Sequence, residues 1–180
     1  MANTYTLISS NVLASAAASV TFSSIPSTYT DLVLRISTRG NNGTIWQNYP
    51  RIRINSTSAV STITYIAGDG ATASSFDASA IVSTGFYPIT NSAGNVMSDS
   101  AGNTANTFDN IEIYIPSYTV AQNKPLSTVG VAEQNATTAY IVAGAGLERT
   151  TAAITSLTVI NSVGNFVTNS SFYLYGIKNS

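Results

Sequence analysis

The sequence predicts an all-β fold, an antiparallel β-sandwich, and three observations carry that expectation. Apolar and polar residues alternate with a period of two, the pattern of a strand with one buried face. Short dipeptides of glycine with asparagine or aspartate interrupt the alternation at close intervals. Helical spacing is hard to find along the 180 residues.

Taken in order, the first strand signals lie around Tyr5–Ile8 and Val20–Ser24. The clearest one in the first half is Leu32-Val33-Leu34-Arg35-Ile36, where Leu32, Leu34 and Ile36 share one face and Val33 and Arg35 the other. Arg51-Ile52-Arg53-Ile54, Ile111-Glu112-Ile113-Tyr114-Ile115 and Phe172-Tyr173-Leu174-Tyr175 repeat the pattern with β-branched and aromatic residues suited to a pleated surface. Shorter segments fall at Ile63–Ile66, Ile81–Phe86, Val129–Ala132, Ala139–Val142 and Ser156–Ile160. Between them Asn42-Gly43, Asp69-Gly70, Gly94-Asn95, Gly102-Asn103 and Gly164-Asn165 mark reversals. The prolines, Pro26, Pro50, Pro88, Pro116 and Pro125, all sit at expected strand ends or edges, where no ladder donor is lost.

About ten short strands in one chain fit a single sandwich domain over residues 1–180, with a jelly roll the preferred order and an immunoglobulin-like order open. The stretch from Thr90 to Thr107, rich in Ser, Asn, Ala and Gly, is expected to be a long surface loop.

Composition narrows the function. Charged residues are 8% of the chain, and seven basic against eight acidic residues leave a net charge of -1. A surface of short hydroxyl and amide side chains tolerates close contact, whereas the basic footprint of a nucleic-acid binder is missing. The start of the chain, Met1-Ala2-Asn3-Thr4-Tyr5-Thr6, lacks the features of a signal peptide, and no apolar run reaches the ~20 residues of a membrane span. A soluble chain made in the cytoplasm, with neither nucleic acid nor membrane as partner, is the expectation.

The absence of histidine removes the commonest general base and imidazole metal ligands, and the absence of cysteine removes disulfides, thiolate catalysis and thiolate zinc sites. Eight acids, Asp31, Asp69, Asp77, Asp99, Asp109, Glu112, Glu133 and Glu148, would suffice for a glycosidase pair, yet none forms a local motif. Asp69 precedes a turn glycine, and Asp31 and Asp109 flank strands. No enzyme activity, cofactor or metal is expected.

The one place where an arginine, amides and aromatic residues gather in an expected loop runs from Arg39 to Tyr49. Arg39, Trp46 and Tyr49 are therefore candidates for stacking on a sugar or anchoring a protein interface; a Trp46 that folds back to cap the sandwich is the competing expectation. Arg51 and Arg53 share a strand face, and with Arg35 they could form a patch for acidic groups, or remain solvated with Arg35 paired to Glu112.

Two stretches carry a family resemblance: Phe22-Ser23-Ser24-Ile25-Pro26-Ser27-Thr28-Tyr29-Thr30-Asp31-Leu32-Val33-Leu34-Arg35, and the ending Ser171-Phe172-Tyr173-Leu174-Tyr175-Gly176-Ile177. Together they resemble small virion structural proteins of tailed phages, notably those infecting cyanobacteria and other marine bacteria. There, an early strand ends near Ile-Pro, a Tyr-containing turn leads into an apolar strand with arginine, and the chain closes on Leu-Tyr-Gly-Ile. From residue 40 to about 168 the likeness is only of general character. The resemblance implies a non-enzymatic capsid decoration (cement) protein or a head or tail knob or fibre. Its partners would be itself, as a homo-oligomer with a trimer favoured by analogy, and virion proteins such as the major capsid protein. Its location would be the virion, and host surface glycan is the alternative partner.

Overall fold

A computed structural model describes residues 4–44, 48, 50–55, 61–82, 85, 98–134 and 137–178. Among the described residues eleven strands are present: β1 (Tyr5–Val12), β2 (Ser19–Phe22), β3 (Asp31–Ser37), β4 (Pro50–Ile54), β5 (Ser61–Gly68), β6 (Ala73–Val82), β7 (Asn110–Ile115), β8 (Lys124–Gln134), β9 (Thr138–Glu148), β10 (Leu157–Asn161) and β11 (Ser171–Ile177). They form two antiparallel sheets. One has eight strands in the order β1-β11-β3-β7-β8-β9-β5-β6, and the other three in the order β2-β10-β4. The expected all-β sandwich is what the chain builds, divided eight and three; this strand order does not single out a jelly roll.

Alternation decides which residues face inward. Leu32, Leu34 and Ile36 of β3, Ile111, Ile113 and Ile115 of β7, and Phe172 and Leu174 of β11 are buried, and they meet Val20, Phe22, Ile52, Ile54, Leu157 and Val159 of the smaller sheet in one continuous core. Each such side chain removed from water contributes roughly 1.5–3 kcal/mol before entropy is counted. Phe166 closes the core edge-on to Phe172, with centroids 5.3 Å apart.

Strand limits depart from expectation where the apolar signal is weak. The expected strand at Ile81–Phe86 overlaps β6 at Ile81 and Val82, and residues 83, 84 and 86 lie outside the described ones; β6 itself begins at Ala73 in a run of small residues. β8 and β9 extend well beyond their expected cores through Gly, Ala and Thr, and pair over their full length from Lys124↔Glu148 to Gln134↔Thr138. The Asp69-Gly70 turn joins β5 to β6 as read: Gly70 has φ +88, and the Asp69 carboxylate accepts from the amides of Ala71 and Thr72.

The two stretches that carry the family resemblance are neighbours. β3 pairs with β11 from Ser37↔Ser171 to Asp31↔Ile177, and the Tyr29 ring lies flat against Gly176. A Cβ at position 176 would come within 2.3 Å of that ring, so the tyrosine turn and the closing strand fit only with glycine there.

Candidate functional site

The structure separates the arginines that the sequence grouped. Arg51 and Arg53 lie on the outward side of β4 in the three-stranded sheet, opposite Ile160 and Thr158 of β10. Arg35 lies on the outward side of the eight-stranded sheet, where its Nε donates to Glu112 Oε2 at 2.7 Å. The three therefore share no patch, and the local pairing with Glu112 is the reading that holds for Arg35. Trp46 and Tyr49 fall outside the described residues, so the aromatic loop and its capping alternative do too.

Arg39 is turned inward. It is 7% exposed, and its guanidinium donates to the backbone carbonyls of Asn103, Thr104 and Thr107. It pins residues 103–107, which lead into β7, to the end of the sandwich. This corrects the surface-loop expectation at residues 98–100 and at Asn103, which are buried; Ala101, Ala105 and Asn106 are exposed as expected, and residues 90–97 lie outside the described ones. Stretches of Ser, Asn and Asp go inside only when their polar groups are satisfied, and here most are.

At the centre of this network is Asp109, also buried. Its Oδ1 accepts from the Thr38 amide at 2.6 Å, and the hydroxyls of Thr38 and Ser98 also donate to the carboxylate. The Asn48 amide nitrogen in turn donates to both hydroxyls, at 3.2 and 2.8 Å, which directs their protons toward Asp109. Burial nevertheless pushes the Asp109 carboxyl up to about 7, against the pull of the Ser98 and Thr38 hydrogen bonds. Asp99, with one oxygen held by the Glu133 amide at 3.1 Å and the other unpaired, is pushed up to about 6, first by burial and then by the neighbouring Glu133 charge. Glu133 closes the network by accepting from the Thr104 hydroxyl at 2.6 Å. Among the described residues no group of three or more His, Cys, Asp or Glu is placed to hold a metal.

The outward face of the eight-stranded sheet is the other candidate. The register aligns one row across it: Ser10, Tyr173, Arg35, Glu112, Val129, Ala143, Ile66 and Ser75. Its β8-β9-β5 part is apolar and open, with Ile66 66% exposed, Ile141 54%, Val129 49% and Val131 40%. Its β11-β3-β7 part is aromatic and polar. The Arg35 guanidinium lies 5.9 Å from the Tyr5 ring centre and 5.8 Å from that of Tyr175, while Glu112 holds its Nε. This is the one ion pair among the described residues.

No family model matches this chain, and no curated protein matches it. The site is therefore defined by its own geometry. Sequence reasoning placed Arg35 and Glu112 on polar strand faces and offered their pairing as one alternative, which the β3–β7 register bears out. The apolar strip was missed because Ile66, Val129 and Ile141 were taken only as strand signals, with no means of telling which face would be covered.

Proposed function

We propose that the protein is a non-enzymatic structural subunit of a tailed-phage virion, of the capsid decoration or knob/fibre kind, that acts by docking against copies of itself and neighbouring particle proteins. The observation that carries this reading is the open apolar strip of Val129, Val131, Ile141 and Ile66 on an antiparallel sheet face. Contiguous exposed apolar surface on a folded domain marks a contact site. A chain with 8% charged residues has little repulsion to keep copies apart, and symmetric repetition multiplies modest contacts. The particle context rests on the resemblance of the β3 and β11 regions, and a trimer in the virion is the assembly that analogy favours.

The test is light scattering on the purified protein beside the double variant Ile66→Glu, Ile141→Glu. Both side chains point to solvent, so the variant keeps its melting temperature. The wild type is expected to be oligomeric and the variant monomeric and unable to join the particle. A wild type that stays monomeric at every concentration and is absent from purified particles refutes the reading.

A further inference from the structure

We propose that the shallow groove crossing β11, β3 and β7 beside the Arg35–Glu112 pair is a binding site for a neutral pyranose glycan. The groove consists of two depressions, of about 340 and 510 Å³, that share Arg35 and Asn110 and so adjoin at those residues. The first is lined by Phe108 and Tyr173 together with Ser37 and Ser171. The second takes in Glu112 with Val129 and Val131. Both volumes fall within the roughly 300–1,000 Å³ of small-ligand sites.

The chemistry of these residues selects the ligand. A pyranose presents C–H-rich faces that pack on aromatic rings and a rim of hydroxyls that both donate and accept. The groove offers the aromatic side chains of Phe108 and Tyr173 next to a donor and an acceptor held side by side. With Arg35 Nε committed to Glu112, neither the terminal guanidinium nitrogens nor Glu112 Oε1 has a hydrogen-bond partner among the described residues. The pair is half exposed, at 52% and 45%, so these groups are open to a ligand. Two ring contacts, to Tyr5 and Tyr175, fix the guanidinium before anything binds.

Charge decides against an anion. Glu112 already neutralises Arg35, and a carboxylate or phosphate arriving there would meet a like charge on Glu112. An uncharged polyol meets no such penalty. The larger of the depressions along β5, β6 and β9 makes the contrast: about 550 Å³, lined by Ile66, Ile141, Ala143 and Ser75 among others, it offers no ionisable group and no aromatic ring.

This goes beyond the docking reading. Val129 and Val131 at the groove's edge also belong to the docking strip, so the sugars are tested on the free subunit of the assembly-defective variant as well as on the wild type, and the two readings then fail separately. The experiment is ligand-observed NMR with methyl glucopyranoside, methyl galactopyranoside, methyl mannopyranoside and maltotriose as probes, on the whole chain. At least one probe is expected to bind with a Kd around the millimolar range, as suits an open groove. Arg35→Ala and the solvent-facing Asn110→Ala should each weaken that binding roughly tenfold or more, the loss of about one good hydrogen bond, without lowering the melting temperature. Glu112→Gln should shift preference toward glucuronate, because it exposes the Arg35 charge. The assembly-defective Ile66→Glu, Ile141→Glu variant should bind as well as wild type. Absence of binding by every probe overturns the proposal, as does binding that neither Arg35→Ala nor Asn110→Ala weakens. A groove that becomes protected on subunit assembly and excludes the sugars would identify it as a protein contact and overturn it equally.

Discussion

At the end of the sandwich, Arg39, Asp99 and Asp109 are all less than a tenth exposed; on the outer sheet face, Arg35 and Glu112 are about half exposed. Both places bring arginine near carboxylates in a chain that has few of either. Inside, both terminal guanidinium nitrogens are spent on three backbone carbonyls, and the Asp109 carboxyl is held by an amide and two hydroxyls, so these groups hold a loop in place. Outside, one hydrogen bond locks the pair and leaves the remaining donors and acceptor facing solvent. The same side chains are structural where burial forces them to be saturated and available where it does not.

The largest expected consequence belongs to the buried site. The Asp109 carboxyl sits at about 7 in the folded protein against 3.8 for the ordinary group, so between those values the native state holds a proton that the unfolded chain has released. Its stabilising contribution is fully present below about pH 4 and is lost as pH rises toward 7, on the order of 4 kcal/mol if the whole shift is expressed. Asp99, raised to about 6, acts in the same direction. Urea melts should therefore show stability rising as pH falls from 7 to 4, and Asp109→Asn should flatten most of that slope. A stability that falls steadily over this range would mean that the cluster is held as carboxylates throughout.

The exposed pair sharpens the contrast from the other side. Glu112→Gln removes an ion pair that solvent already screens, and should change unfolding free energy by less than about 1 kcal/mol at pH 7. The same substitution should leave the pH dependence below 7 intact. A loss of several kcal/mol would place Arg35 in the scaffold and remove the argument that it is available to a ligand.

Much of the scaffold was legible because β3, β7, β10 and β11 alternate large apolar residues with polar ones, and that alternation has one structural meaning. The start of β6 was missed because Ser74 and Ser75 differ too little from each other to mark a face. The burial of Ser98 to Ser100 was unreadable for a different reason. Polar residues in a glycine-rich stretch signal a surface loop unless partners are known, and Thr38, Asn48, Asp109 and Glu133 are far from that stretch or unremarkable in sequence. Arg35 and Glu112 stand 77 positions apart; the sequence offered them as a pair beside a shared arginine patch, and the β3–β7 register decides for the pair.

That the outward face of the eight-stranded sheet is the working surface can be tested by labelling. The chain has no cysteine, so a single one placed at Ile141 or at Thr21, which faces outward on the smaller sheet, reports its own surroundings. Maleimide labelling of the assembled protein should slow sharply at Ile141→Cys and remain at the free-subunit rate at Thr21→Cys. Equal labelling of Ile141→Cys in the free and assembled states would contradict the account.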